Sequence, residues 1–281
     1  MSISNSNVRI IKPFSPGLPS LTQYVSDMWA RREFVQELSR SERAEEQLDT
    51  VFGQLWSVIS PLLSAGIYYL FIFVVQGQQQ GREFFLHLMA GIFIFEFLSI
   101  TAARGSTSVV RAGALISNTS FPRALLPIAD VITALRVFLP AMFVYFVFHF
   151  VLGQPFSVEM LQAIPAFLLI LIFGCGISMF ASAAQVYFRD TVALLPFILR
   201  LLLFASPVLF FPEQAKDILT GHLLVILNPF FCMIQIFSGS LVRGDTFDMA
   251  TWIIASTWAI GTFLVGFIFL TSREGEFAAR V

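Results

Sequence analysis

Charge is scarce in this chain. Only 12% of its 281 residues are Asp, Glu, Lys or Arg, where a soluble domain carries about 25%. A water-exposed globule of this length needs far more polar surface to cover its core, so the composition excludes that class and predicts an exterior solvated by lipid. Lysine is nearly missing: Lys12 and Lys216 are the only two, and neither follows a glycine. The phosphate-cradling pattern GxxxxGK(S/T) is therefore absent, and the chain cannot hydrolyse ATP by that route. Neither a GxSxG elbow nor an HExxH helix occurs. The net charge of −1 provides no field to draw nucleic acid. The two cysteines, Cys175 and Cys232, lie in apolar runs and read as small buried hydrophobes, not as a disulfide framework or a metal knuckle. No metal site is assigned to His87, His149 or His222, which read as interfacial. Residues 1–20 hold no apolar h-region, so the first true span is expected to serve as the insertion signal.

What the chain has instead is hydrocarbon. Hydrophobic residues make up 57% of it, with 33 phenylalanines. Residues 1–20, rich in Pro, Gly and small polar residues, read as a disordered tail. In 21–50, Leu21, Tyr24, Val25, Met28 and Trp29, then Phe34, Val35 and Leu38, recur at helical spacing with Arg31, Arg32 and Glu33 between them. That pattern predicts an amphipathic helix in the headgroup plane, or docked on a soluble partner, followed by a charged segment in water (39–50). Crossing a core of ~30 Å takes ~20 apolar residues. The remainder, 51–281, therefore divides into six spans near 55–76, 84–104, 126–151, 160–183, 192–212 and 249–271. Gly174, Ser178 and Ser182 form a small-residue stripe for close helix packing. The apolar stretch 223–241 is broken by Asn228-Pro229 and is expected to be a pair of re-entrant half-helices, not a seventh span. The fold class is thus an all-α membrane protein.

The basic residues orient it. Arg9, Lys12, Arg31, Arg32, Arg40, Arg43, Arg104, Arg111, Arg123, Arg189, Arg273 and Arg280 fall on one side. Only Arg82, Lys216 and Arg243 fall on the other. The positive-inside rule then predicts both termini in the cytoplasm. Within the spans, Glu96, Arg136 and Arg200 lie at about 12, 15 and 12 Å from the inner boundary, at ~1.5 Å per residue. Shared depth suggests a buried ion-pair cluster or a polar channel wall. Asp130, about a turn inside, is expected to reach the interface. The inner loop 103–127 carries a Ser117-Asn118-Thr119-Ser120 turn-and-cap cluster before Phe121-Pro122-Arg123. It reads either as a plain connector or as a short surface helix offering an exposed aromatic to a soluble partner.

From about residue 30 to the end, the chain resembles the permease subunit of ABC-2 type polysaccharide exporters, which export O antigen, teichoic acid, capsule and mycobacterial galactan. The resemblance rests on FGQLWSVISPLLSAGIYYLFIF (52–73), NTSFPRALLPIA (118–129), FRD (188–190), ASPVLFF (205–211) and NPF (228–230), in the family's order. The sequence departs from it at 39–50, which is acidic where the family carries a basic segment. This acidic form resembles the actinobacterial galactan exporters.

The resemblance implies a multi-pass protein of the plasma (inner) membrane that acts as a homodimer. Two copies of a separate ATP-binding subunit would carry ATP and Mg, and a lipid-linked polysaccharide would be the cargo. It implies that the 111–123 loop, with Arg111, Asn118, Thr119, Ser120, Phe121, Pro122 and Arg123, is the ATPase-coupling element. Tyr68, Tyr69, Phe71, Phe204, Phe210 and Phe211 would line the channel, and Asn228 and Pro229 would sit in an outer gate. This chain would itself bind no cofactor and catalyse nothing. The alternative is an ATP-independent channel or secondary transporter relaying ions through Glu96, Arg136 and Arg200.

Overall fold

The computed structural model describes residues 20–47, 55–76, 81–119, 121–213 and 225–280. The amphipathic N-terminal segment forms α1 (Leu21–Ala30) and α2 (Arg32–Gln47). They are followed by α3 (Trp56–Gln76), α4 (Arg82–Arg111), the short α5 (Gly113–Asn118) and α6 (Leu125–Val151). A 3-10 turn, Val158–Gln162, leads into α7 (Ala163–Tyr187). The chain ends with α8 (Thr191–Ala205), α9 (Pro229–Arg243) and α10 (Met249–Arg280). Among the described residues, five helical stretches are long and apolar enough to cross a bilayer: Val58–Val75, Arg82–Arg111, Leu125–Val151, Val158–Tyr187 and Met249–Phe277.

The expected fifth span falls short. A helix over 192–212 was anticipated, but α8 stops at Ala205 after 15 residues, about 22 Å at ~1.5 Å per residue. Pro207 is the cause. The residue before a proline avoids helical angles, and Ser206 is extended at φ −99°, ψ 154°. The turn that follows is wedged against α4, where a Cβ on Gly91 would lie 3.2 Å from the Val208 Cα.

The second span runs past its expected end at Arg104 and forms a helix of 30 residues. Its polar last turns satisfy themselves. The hydroxyls of Ser106, Thr107 and Ser108 donate to the carbonyls three residues back.

At the centre, α4 is buried on most sides by α6, α7, α9, α3 and α8. The small-residue stripe of α7 faces α4. Ser178 sits where a Cβ on Gly105 would lie 2.0 Å from its Oγ, and Ser182 accepts from Ser108 at 3.0 Å. A second small-residue contact was not anticipated. A Cβ on Gly266 of α10 would lie 2.1 Å from the Gly176 carbonyl oxygen of α7, so these two backbones touch. Close backbone approach is what substitutes for hydrophobic association in lipid.

The segment around Asn228-Pro229 is broken where expected. Asn228 caps α9, accepting from the Phe230 amide at 2.9 Å, with Pro229 in the first turn. Proline fits there because that N–H has no helical partner. From this cap at the depth of Phe95 and Phe173, α9 rises to Gly244, which closes it in a left-handed conformation at φ +66°. Of the other half of the expected pair, residues 225–227 are helical and the rest lies outside the described residues.

Candidate functional site

The two ends of the bundle carry different chemistry. At one end, here the loop end, meet α1, α2, the loop after α4 and the last turns of α10. Their meeting point is a single carboxylate. Glu274 accepts from the Tyr24 hydroxyl at 2.8 Å, from the Arg123 amide at 2.9 Å and from the Arg123 guanidinium at 3.4 Å. The Tyr24 oxygen in turn accepts from the Ala124 amide at 3.3 Å. Burial, and then the Glu274 charge, push the Tyr24 phenol above its ordinary range, so it remains a neutral donor.

A second carboxylate lies one element away. Asp130 of α6 takes Arg104 at 3.2 Å and Arg111 at 2.8 Å. Asp130 was expected to reach the interface, yet only 1% of its side chain is exposed. Each end of the loop is thereby bolted to a spanning helix: Arg111 to α6, and Arg123 to α10.

This arrangement changes the reading of Phe121. The residue expected to project as a knob is 5% exposed. Its ring lies 5.5 Å from that of Phe34 on α2, in an apolar cluster with Tyr24, Val35 and Ile116. Covering a phenylalanine is worth roughly 1.5–3 kcal/mol, and the apolar stripe of the N-terminal helices supplies the cover. Pro122 is buried as well. What the loop presents outward is the other side of α5: Ala114, Asn118 and Thr119. Asn118 and Thr119 close α5 by donating to the carbonyls of Ala114 and Leu115. Ser120 lies outside the described residues. The N-terminal stripe itself is split, with Tyr24 and Val35 turned inward and Val25 and Trp29 outward. Part of the charged segment is also drawn in. Ser39, expected in water, is buried and within 2.8 Å of the Thr133 hydroxyl on α6.

At the opposite, far end, aromatic rings gather. Tyr69 and Phe211 flank Phe84 at 6.4 and 5.5 Å, and His87 packs 4.8 Å from Phe211. Arg243 stacks 4.2 Å over the same Phe211 ring and pairs with Glu213 at 3.2 Å. Of the six candidate channel aromatics, the structure thus gathers Tyr69 and Phe211. Tyr68 and Phe210 are half-buried, and Phe71 and Phe204 are exposed on the flanks of the bundle. His87 and His149 are buried, not interfacial; His222 lies outside the described residues. Cys232 is buried and Cys175 half-buried in the apolar core.

The expected cluster of Glu96 with Arg136 and Arg200 does not form. Glu96 and Arg136 are half-buried on α4 and α6, Arg200 is exposed on α8, and none joins an ion pair among the described residues. Equal depth left the azimuth of each helix undetermined. Asn228 has a role that no motif announced: its amide nitrogen donates to the Ala205 carbonyl at 2.9 Å and lies 3.0 Å from Ser206 Oγ, tying the start of α9 to the end of α8.

Comparison with known proteins gives a coherent result. No family model matches the sequence. The chain is 32% identical over 186 residues to an O-antigen export system permease protein, RfbA, of Klebsiella pneumoniae, covering 66% of this chain and 71% of that one. A second K. pneumoniae RfbA is 30% identical over the same lengths. An RfbA of Myxococcus xanthus is 22% identical over 261 residues, spanning 93% of this chain and all of the relative.

Proposed function

Because this chain belongs to the O-antigen export permease family, we propose that it is the membrane subunit of an ATP-driven exporter of a lipid-linked polysaccharide. Two copies would form the conduit in the inner membrane, with both termini cytoplasmic. Two ATP-binding subunits would dock at the loop end. Galactan is the cargo that the acidic 39–50 segment suggests.

The observation that carries this reading is the anchoring of the loop. Arg111 to Asp130 and Arg123 to Glu274 join the α5 segment rigidly to α6 and α10. A push on α5 from a soluble engine is thereby delivered to spanning helices, as a coupling element requires. The docking surface is the exposed side of α5 and not Phe121, which acts as the pin holding α5 to α2. The relay alternative loses its basis, since Glu96, Arg136 and Arg200 make no ion pair with one another.

The test is co-purification with a separately encoded ATP-binding subunit expressed together with it, and ATP-dependent export in cells lacking the native gene. Ala114→Trp alters only an exposed position, and should abolish ATPase recovery and export while leaving the melting temperature unchanged. Full recovery and export would refute the docking assignment. Sidedness has its own check, by impermeant maleimide on intact cells lacking Cys175 and Cys232. Arg243→Cys should label and Arg280→Cys should not; the opposite pattern would reverse the orientation.

A further inference from the structure

Most of α4 is buried, but one strip along its loop-ward half is uncovered. The strip begins at half-buried Glu96 and continues through Ser99, Ala103 and Thr107 at helical spacing. Glu96 joins no ion pair among the described residues, and neither does Arg200, which is exposed on the neighbouring helix α8. Ionisable groups inside a span take a counter-ion or border water.

The two charges share a depth. Gly91 of α4 meets the turn after α8, where its Cβ would lie 3.2 Å from the Val208 Cα. Glu96 and Arg200 both lie loop-ward of that contact, by about 7 and about 12 Å at ~1.5 Å per residue, so less than one turn (~5.4 Å) separates them in height. They also share a side. Seen from the far end, α4 winds clockwise as it recedes, and at about 100° per residue Glu96 lies about 140° clockwise of Gly91. The α8 helix runs the opposite way and winds counterclockwise in this view. Arg200 therefore lies about 100° counterclockwise of Leu199, which is buried against the bundle. Both turns lead to the same flank, where the two side chains diverge and do not meet within one chain.

We infer that a second copy of the chain packs on this flank, closed by two reciprocal ion pairs in which Glu96 of each copy meets Arg200 of the partner subunit. The inference rests on the two-copy reading above and names the surface that joins the copies. A two-fold interface is self-complementary: where residue i touches j, j also touches i. One carboxylate and one guanidinium on a single flank therefore supply both counter-ions at once. Lipid headgroups cannot, because both groups lie about 12 Å inside the inner boundary at ~1.5 Å per residue. Ser99, Ala103 and Thr107 on the same strip are small, which lets a facing helix approach closely in lipid. The seam so formed borders the conduit that the two copies would enclose.

Charge reversal tests it, with the full chain carrying either of two affinity tags, expressed in pairs and extracted in mild detergent. Chains with Glu96→Arg should not pair with one another, nor should chains with Arg200→Glu, since both reciprocal contacts become repulsive. Mixed together, the two variants regain two opposite-charge contacts. Unlike chains should then capture one another at least fivefold better than like chains, whereas a contact within one chain gains nothing from mixing. Equal capture of like and unlike chains overturns the inference. So does rescue of Glu96→Arg by Arg136→Glu in place of Arg200→Glu, which would move the pair to α6. Absence of capture between differently tagged wild-type chains overturns the two-copy reading itself, and the inference with it. Where reversal prevents membrane insertion, Glu96→Gln and Arg200→Gln replace it. Each should lower self-capture severalfold from the wild-type level, and the double variant no further than either; losses that multiply overturn the pairing.

Discussion

The hydroxyl of Tyr24 donates to Glu274 Oε2 at 2.8 Å across 250 positions of sequence. The bond joins the first described helix of the chain to the last. The same carboxylate holds Arg123, so three segments distant in sequence share one buried anion. Removing the anion strands a guanidinium only 18% exposed. Breaking a buried pair in this way costs about 3–5 kcal/mol, whereas losing one neutral donor to a carboxylate costs about 1.5–3 kcal/mol. Glu274→Ala should therefore lower the melting temperature in detergent well beyond Tyr24→Phe. Equal losses would show that the carboxylate is not the centre of the junction.

The same junction predicts a pH dependence. The Tyr24 phenol titrates above its ordinary value of 10.0 in the folded protein, through burial first and the Glu274 charge second. Its folded pKa is raised, so the stabilisation is fully present below about pH 10 and is lost as pH climbs beyond it. Melting followed from pH 8 to 11 should fall more steeply in the wild type than in Tyr24→Phe. Parallel curves would contradict the assignment.

The Asp130 cluster should respond unequally to its members. Arg104 is 13% exposed and Arg111 40%. Asp130→Ala leaves the more buried arginine without its carboxylate and should cost about 3–5 kcal/mol. Arg111→Ala should cost about 1 kcal/mol or less, near the value of an exposed pair. Chemical unfolding in mixed micelles measures both, and the order Asp130→Ala worse than Arg111→Ala is the expected outcome.

Gly176→Ala should be among the most damaging single-methyl changes. Its Cβ would lie 2.5 Å from the Phe263 amide nitrogen, and backbone cannot step aside. Overpacking of this kind costs about 1–3 kcal/mol or more. Gly261→Ala on α10, where a Cβ meets open space, is the matched control and should be neutral or slightly stabilising. Yields of folded monodisperse protein compare the two.

Arg200 offers a test of what covers α8. This helix is held to the bundle by Leu195, Leu199 and Leu203, and Arg200 is exposed beside Phe197, Leu201 and Phe204. An unpaired arginine facing lipid costs about 2.5–3.5 kcal/mol. Arg200→Leu would therefore stabilise a lipid-facing surface by roughly that amount. A surface facing the aqueous conduit should instead keep its stability and lose export, with Arg200→Lys partly restoring it. The second result is expected, from paired melting and export measurements.

Much of this protein was determined by sequence alone, because the bilayer simplifies the rules. A minimum apolar length, the scarcity of charge and the effect of proline on backbone geometry act within a segment. Five of the six expected spans, the stripe Gly174, Ser178 and Ser182, and the break at Asn228-Pro229 all follow from them. Ser206 before Pro207 obeys the same rules, and for that reason α8 is shorter than the expected 192–212. Tertiary structure decided what depends on the rotation of one helix against another. Glu96, Arg136 and Arg200 share a depth but not a direction, and so do not meet. Phe121 is apolar in a polar loop, and whether it projects or is covered depended on where α2 came to rest. Asp130 looked like an interfacial charge; it and Glu274 became structural centres because arginines from other elements converged on them. Depth is a property of position along one helix and can be counted; azimuth is a property of the packed bundle.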